Sequence, residues 1–152
     1  MVDYNITIRG AKIIFRNFSG KQTKFNPAGR RNFCVILDDE TARKLEGDGW
    51  NVRYLEPRGL DEDKPTPYLQ VSVSWSIRPP KIKLISSRGE TSLGEDEVSM
   101  LDWEEITKVD LVLRPYNWEI GDKKGVKAYL KSMHVSIEED ELDIPVDEGL
   151  PF

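Results

Sequence analysis

Aromatic residues and cations lie next to each other at four places in this 152-residue chain. An aromatic ring can stack on a nucleobase, and an adjacent Lys or Arg can contact the neighbouring phosphate. Aromatics in strands belong to the core more often than to a site, and we expect Phe33 to be buried. Four such clusters nevertheless favour a surface that binds a nucleic-acid strand. They are Phe15-Arg16-Asn17-Phe18, Lys24-Phe25, Arg30-Arg31-Asn32-Phe33 and Lys127-Ala128-Tyr129-Leu130-Lys131.

These clusters and their neighbours supply the candidate binding residues. Residues 19–32 lack periodicity, carry only basic charges and predict a loop that presents Phe25 to a ligand. The alternative is a solvated hairpin loop whose Phe25 folds back onto the core. The rings expected to stack on bases are Phe15, Phe18, Phe25, Tyr116, Trp118 and Tyr129. The cations expected to contact phosphates are Lys12, Arg16, Lys21, Lys24, Arg30, Arg31, Arg78, Lys81, Lys127 and Lys131.

Residues for catalysis are sparse. His134 is the only histidine and Cys34 the only cysteine. We expect Cys34 to be a small core residue and His134 to be structural. The segment Gly47-Asp48-Gly49 lacks the third glycine of a phosphate-binding loop. The acidic pairs Asp38-Asp39 and Glu104-Glu105 occur where helix starts and solvated loops are expected. We therefore predict no catalytic residue, no metal site and no cofactor.

The net charge of −5 hides an uneven distribution. Seven of the 27 acidic residues lie in the last fifteen positions, which leaves 20 acids against 22 bases in residues 1–137. Residues 1–37 carry seven bases and one acid. A basic sheet surface suits a polyanionic ligand. The acidic segment 138–152 has no periodicity and contains two prolines, so we expect a disordered tail.

Short alternating segments dominate the body of the chain and predict strands. Residues 6–18 alternate around Gly10 and predict one long, bent first strand. A phase change after Ser132 predicts a bulge. Residues 40–45 predict a short helix after an Asp38 or Asp39 cap, whereas residues 89–93 predict a turn and residues 95–103 fit a helical turn or irregular structure. The other predicted strands are 32–37, 50–55, 68–77, 81–85, 106–120 and 126–137.

This pattern predicts an all-β fold with one short helix. The long bent first strand favours an oligonucleotide-binding (OB) fold, a small five-stranded barrel. The predicted domain covers residues 1–137, and the disordered acidic tail covers residues 138–152.

The closing hairpin and the C-terminal end carry a family resemblance. The segments Arg114-Pro115-Tyr116-Asn117-Trp118 and Gly125-Val126-Lys127-Ala128-Tyr129-Leu130-Lys131 resemble phage-encoded single-stranded DNA-binding proteins with an OB fold, of the phage T7 type. The ending Asp147-Glu148-Gly149-Leu150-Pro151-Phe152 is similar to the terminal peptide of bacterial single-strand-binding proteins. The resemblance implies that Asp147, Glu148, Leu150, Pro151 and Phe152 recruit replication or repair proteins. It also implies that the tail competes with DNA for the basic surface.

The expected function is sequence-independent binding of single-stranded DNA. The bound protein would coat and protect the DNA during replication, recombination and repair. The alternatives are a virion or scaffold module whose sheet binds protein and, third, a metal-dependent nuclease. We expect a monomer or homodimer. The single cysteine, the absence of a secretory signal and the lack of a long apolar run predict a cytoplasmic protein, in the host cell if phage-encoded.

Deleting residues 138–152 should tighten DNA binding at low salt, because the deletion removes a competing polyanion. It should also abolish recruitment of partner proteins. Titration of a labelled oligonucleotide with full-length and truncated protein measures the first effect. Equal affinities at low salt would contradict the competitor role.

Overall fold

The computed structural model describes residues 1–24, 26–56, 64–76 and 78–138. Alternating apolar residues form strands throughout these ranges, and one acid-capped segment forms an α-helix. The strands are β1 (Ile6–Ile8), β2 (Ile13–Asn17), β3 (Arg31–Ile36), β4 (Val52–Leu55), β5 (Thr66–Val73), β6 (Lys81–Ser86), β7 (Gly89–Leu93), β8 (Ile106–Ile120) and β9 (Lys123–Ile137). The helix α1 spans Asp39–Asp48, and a 3₁₀ helix spans Val98–Asp102.

The strands form a closed barrel in the order β1-β8-β9-β5-β3-β2. All pairs along this path are antiparallel except β5 and β9, which are parallel. The Ala11 amide donates to the Val109 carbonyl at 2.7 Å, and the Ile36 amide donates to the Lys12 carbonyl at 2.9 Å. These two bonds attach the segment between β1 and β2 to β8 on one side and to β3 on the other. Since β1 and β2 are consecutive parts of one bent segment, the barrel has five strands, which confirms the predicted fold class.

Gly10 divides the predicted first strand into β1 and β2. Its φ of +60° is in the left-handed region that favours glycine. Its amide donates to Asp110 Oδ1 at 2.9 Å. The prediction of one continuous strand over residues 6–18 is therefore wrong in detail, but the predicted bend is confirmed.

The helix is longer than predicted. Asp38 is its N-cap and accepts a hydrogen bond from the Thr41 amide at 2.6 Å. Gly49, with φ +102°, ends it in a left-handed conformation. Ala42 and Leu45 are its buried residues and attach it to the core. The helix reaches Asp48 because the C-cap is Gly49 and not Gly47.

The β8–β9 hairpin matches its predicted extent, except that β9 begins at Lys123. Val112 pairs with Ser132 while Leu113 pairs with Leu130, so Lys131 is an extra residue. This confirms the predicted bulge. The bulge lets both Leu130 and Met133 face the core.

Two other predicted elements differ from the structure, whereas residues 95–103 adopt the helical alternative expected for them. Strand β5 ends at Val73, four residues before the predicted end, and Ile77 lies outside the described residues. Residues 89–93, predicted as a turn, form β7 and pair with β6. Residues 95–103 contain the 3₁₀ helix, whose Val98 and Leu101 are fully buried. The tail residues Asp147, Glu148, Leu150, Pro151 and Phe152 also lie outside the described residues.

Phe15 lies in a β-bulge with unusual backbone geometry. Ile14 pairs with Cys34 and Asn17 with Asn32, so β2 has one residue more than β3 over this interval. Phe15 has φ +53°, which is strained for a non-glycine residue. The bulge changes the direction of the ring, which is 55% exposed.

Phe15→Gly should be more stable than Phe15→Ala by about 1 kcal/mol, because glycine adopts the left-handed backbone without strain. The same pair at Thr7, in the regular strand β1, should show the opposite order, with glycine the less stable. Urea unfolding of the four variants measures the free energies. Phe15→Ala equal to or more stable than Phe15→Gly would contradict the strained geometry.

Candidate nucleic-acid interface

One row of paired residues crosses the outer face of the barrel. Asn32 pairs with Ser72, Ser72 with Tyr129, and Tyr129 with Arg114. Residues paired directly across a sheet share a face. Their chain neighbours Phe33, Val71, Ala128 and Leu113 are buried in the core, so this row lies on the outside. Four strands thus contribute to one continuous outer surface.

A groove of about 590 Å³ lies on this outer surface beside β2. We call it the β2 groove. Cys34 and Gln70, which pair with each other, and Tyr68, which pairs with Arg53, contribute to its lining. Its full lining comprises Phe15, Arg16, Asn17, Ser19, Lys21, Thr23, Asn26, Asn32, Cys34, Arg53, Tyr68, Gln70, Asp102 and Trp103.

Two rings in the β2 groove contact each other. Phe15 and Tyr68 are edge to face, with ring centroids 6.2 Å apart and planes at 77°. This geometry is favourable for an aromatic pair. Part of each ring remains accessible, and the exposed cation Arg53 lies in the position paired with Tyr68. The groove therefore combines stacking surfaces with positive charge.

A second aromatic group lies on the β8–β9 hairpin, and we call it the hairpin cluster. Tyr116 and Tyr129 are edge to face at 5.7 Å, and Tyr116 is 51% exposed. The Arg114 guanidinium lies 4.7 Å and Lys127 Nζ 5.2 Å from the Tyr129 ring centroid. Burial, followed by the charge of Arg78, lowers the pKa of Arg114 below its ordinary value. A phosphate beside the cluster would relieve this repulsion between the two cations.

The β2–β3 loop is held in place by asparagine side chains. Asn26 Nδ2 donates to the carbonyls of Lys21, Pro27 and Arg30 at 3.1, 3.1 and 2.9 Å. Asn32 Nδ2 donates to Asn26 Oδ1 at 2.8 Å. These bonds fix the backbone while the side chains of Lys21, Lys24 and Arg30 are exposed. Phe25, the predicted stacking residue of this loop, lies outside the described residues.

Cys34 lies on the outer side of β3. We expected a core residue, and the thiol is indeed only 7% exposed, but it lines the β2 groove. Burial raises its pKa to about 11, while the charge of Arg53 acts in the opposite direction. The thiol is therefore neutral at physiological pH and contributes an apolar patch to the groove.

Comparison with protein families identifies the chain. A family model described as "Putative phage ssDNA-binding domain" matches residues 2–148. The chain belongs to this family of phage single-stranded DNA-binding domains. Membership confirms the resemblance seen in the sequence and the predicted class of function, binding of single-stranded DNA.

Two solved structures of a phage protein from bacteriophage Enc34 share the fold at low sequence identity. The single-stranded DNA-binding protein from bacteriophage Enc34 in complex with ssDNA has a TM-score of 0.56 at 10% identity, over 90% of this chain and 88% of that chain. A C-terminal truncation of the Enc34 protein has a TM-score of 0.52 at 13% identity, over 90% and 87%. The bacteriophage T7 protein gp2.5, also a single-stranded DNA-binding protein, gives 0.40 at 13% identity, over 98% of both chains. Comparison with curated proteins finds no match.

Several predicted site residues have other roles in this family member. The prediction that Phe18 stacks on bases is wrong, because the ring is fully buried and stacks on Phe33 at 5.2 Å. The Arg31 guanidinium carbon lies 5.8 Å from the Trp75 ring centroid, its Nη1 lies 3.4 Å from Glu95 Oε2, and Arg31 does not line the β2 groove. Arg16 Nη1 donates to two backbone carbonyls at 2.8 Å.

The structure separates the remaining candidates. Trp118 is half-buried over Gly125 and lines a second cavity of about 570 Å³ near the end of α1. Lys12 lines a different depression, beside Glu105. Lys81 pairs with Ser132, next to the bulged and exposed Lys131. Only part of the predicted set is therefore assembled in the β2 groove and the hairpin cluster.

Sequence reasoning missed several residues of the outer surface. Tyr68 and Gln70 belong to the polar side of an alternating strand, which was the available signal. Arg114 is part of the hairpin segment that carries the family resemblance. Trp103 had no signal because its position depends on the fold. Arg53, which also lines the β2 groove, was missed as well.

Two negative findings apply to the described ranges alone. Neither helix found there has the length and apolar character needed to span a bilayer. In the same ranges, no group of three or more His, Cys, Asp or Glu side chains is placed to hold a metal ion.

Phe18→Ala should lower the free energy of unfolding by about 3–5 kcal/mol, because it leaves a cavity against Phe33. Phe15→Ala should cost much less, since the Phe15 ring is half exposed. Urea unfolding measures both values. A Phe18→Ala variant as stable as wild type would place Phe18 outside the core and restore it as a candidate stacking residue.

Proposed function

We propose that this protein binds single-stranded DNA without sequence preference through the β2 groove and the hairpin cluster. The observation that supports this proposal is the continuous outer surface on which exposed rings and cations alternate. Phe15 and Tyr68 provide stacking at one end, and Tyr116 and Tyr129 provide it at the other. Every base has a stacking face, so aromatic contacts of this kind are sequence-tolerant.

The cations beside these rings supply the contacts to phosphates. Lys21 and Arg53 line the β2 groove, and Arg114 and Lys127 flank Tyr129. Two further cations are exposed. Arg30 lies at the end of the β2–β3 loop, and Arg78 lies in the loop before β6. Such contacts bind the DNA backbone and make the affinity depend on salt.

The proposed biological role is that of a non-enzymatic protein that coats and protects DNA during replication, recombination and repair. The acidic segment 138–152 would recruit replication or repair proteins and compete with DNA. A monomer or homodimer in the cytoplasm of the host cell is sufficient for this role. Family membership and the shape of the outer surface support the DNA-binding part of the proposal.

Tyr68→Ala and Tyr129→Ala should each weaken binding of oligo-dT by about tenfold, because each removes a stacking surface worth about 1–3 kcal/mol. Tyr54→Ala is the matched control, an exposed aromatic on β4 that does not line the groove. Fluorescence anisotropy of labelled oligo-dT measures the affinities. If both variants bind like Tyr54→Ala, the outer surface is not the DNA site.

The salt dependence gives a second measurement on the same surface. Lys127→Gln should reduce the steepness of the plot of log affinity against log salt by about 0.7, because one phosphate contact is lost. A protein-interaction module of a virion or scaffold would show no oligo-dT binding in this assay. Metal-dependent degradation of the labelled oligonucleotide would instead favour a nuclease.

Cys34 allows a direct test of where the DNA lies. With a pKa of about 11, its reaction with methyl methanethiosulfonate should rise about tenfold per pH unit from about pH 8 to about pH 10. An ordinary exposed thiol would reach a plateau in that range. Saturating oligo-dT should slow the reaction, since a strand in the β2 groove covers the thiol. An unchanged rate with DNA bound would contradict occupancy of the groove.

A further inference from the structure

Trp103 is a large apolar side chain that the fold leaves uncovered. It is 76% exposed, although an indole usually contributes to a core or an interface. It lines the β2 groove together with Phe15 and Tyr68. It follows directly after the 3₁₀ helix, so its position depends on how that helix is attached to the barrel.

The backbone segment that carries Trp103 is anchored in the core. Val98 and Leu101 of the 3₁₀ helix are fully buried. The amides of Trp103 and Glu104 both donate to the Met100 carbonyl, at 3.1 and 3.2 Å. The exposed ring is therefore presented on a fixed piece of backbone.

Two side chains attach the same segment to β2. Arg16 Nη1 donates to the carbonyls of Leu101 and Glu104 at 2.8 Å each, on both sides of Trp103. The carboxylate of Asp102 accepts hydrogen bonds from the amides of Phe18 and Ser19, at 2.7 and 3.0 Å. Charge-assisted bonds of this kind are stronger than neutral ones.

These bonds also account for the presence of Asp102 and Arg16 in the groove, where neither is expected to contact DNA directly. A carboxylate in a groove for DNA would repel phosphates, but both oxygens of Asp102 are used by backbone amides. Arg16 would be expected to attract a phosphate, yet its Nη1 is used by two carbonyls. Both side chains hold the Trp103 segment against β2.

We infer that Trp103 is a third base-stacking surface of the β2 groove, and that Arg16 and Asp102 are its positioning residues. This inference rests on the proposed function, and it extends the stacking surface from Phe15 and Tyr68 to the 3₁₀ helix. The ligand is a base of single-stranded DNA. Docking of a protein on the exposed indole is the competing explanation that the test separates.

Binding of labelled oligo-dT to Trp103→Ala and Trp103→Phe tests the stacking role. Trp103→Ala should weaken binding by about tenfold, and Trp103→Phe should restore most of the loss because phenylalanine keeps a stacking face. Tyr54→Ala again serves as the matched exposed aromatic. The tryptophan emission quenched by oligo-dT in wild type should be largely lost in Trp103→Phe. Wild-type affinity and wild-type quenching in both Trp103 variants would overturn the inference and favour protein docking.

The role of Arg16 is tested by its salt dependence. Arg16→Met should weaken binding without changing the slope of log affinity against log salt, because Arg16 acts through Trp103. A phosphate contact by Arg16 would instead reduce the slope by about 0.7. The double variant Arg16→Met/Trp103→Ala should bind no more weakly than Trp103→Ala alone. A reduced slope, or additive losses, would overturn the positioning role.

Two further comparisons keep the outcomes distinct. Arg16→Lys keeps a cationic donor and should bind more tightly than Arg16→Met, and thermal unfolding checks that each variant is folded. If Tyr68→Ala weakens binding but Trp103→Ala does not, the β2 groove is the site and Trp103 is no part of it. If neither weakens binding, the proposed function of the groove itself fails.

Discussion

The turn at Gly10 is the constraint on which the barrel depends. Its left-handed backbone lets one segment pair with β8 through β1 and with β3 through β2. Without that turn, both ends of the sheet would expose unpaired amides and carbonyls, which favour association with other chains. The two bonds made by Ala11 and Lys12 close the barrel immediately after the turn. Closure defines an inside for the core and leaves the outside free for a ligand.

The division between inside and outside follows the alternation of each strand, and bulges decide where it changes. Phe15 is half exposed and Phe18 is fully buried. Residues three positions apart on a strand lie on opposite faces, and the bulge between Ile14 and Asn17 decides that Phe15 is the outer one and Phe18 the inner one. The strained φ of Phe15 costs about 1–2 kcal/mol, and it places a ring against Tyr68 on the outer surface. The fold thus loses some local stability at the edge of the proposed DNA surface.

The charges of the protein serve the fold as well as the ligand. Arg16 and Arg31 were both expected to contact phosphates. In the structure Arg16 also donates to backbone carbonyls, and Arg31 makes an ion pair and an aromatic contact. Two cations of the outer surface lie beside a ring, since Arg114 and Lys127 flank Tyr129. In the proposed DNA surface, positive charge is therefore available to phosphates although the net charge of the chain is −5.

The sequence by itself determined the all-β class, a helix cap at Asp38 or Asp39, the closing hairpin and the bulge near Lys131. These features depend on periodicity and on residue preferences within a few positions, so local patterns predict them. The sequence of the closing hairpin and of the C-terminal end also carried the family resemblance. Only the tertiary structure decided that Phe18 is buried, that Tyr68 and Trp103 share a groove with Phe15, and that Arg16 bonds to backbone carbonyls. The contacts of Phe15 with Tyr68 and of Arg16 with the carbonyls join residues about 50 to 90 positions apart. They arise from barrel closure, which brings distant strands together irrespective of local pattern.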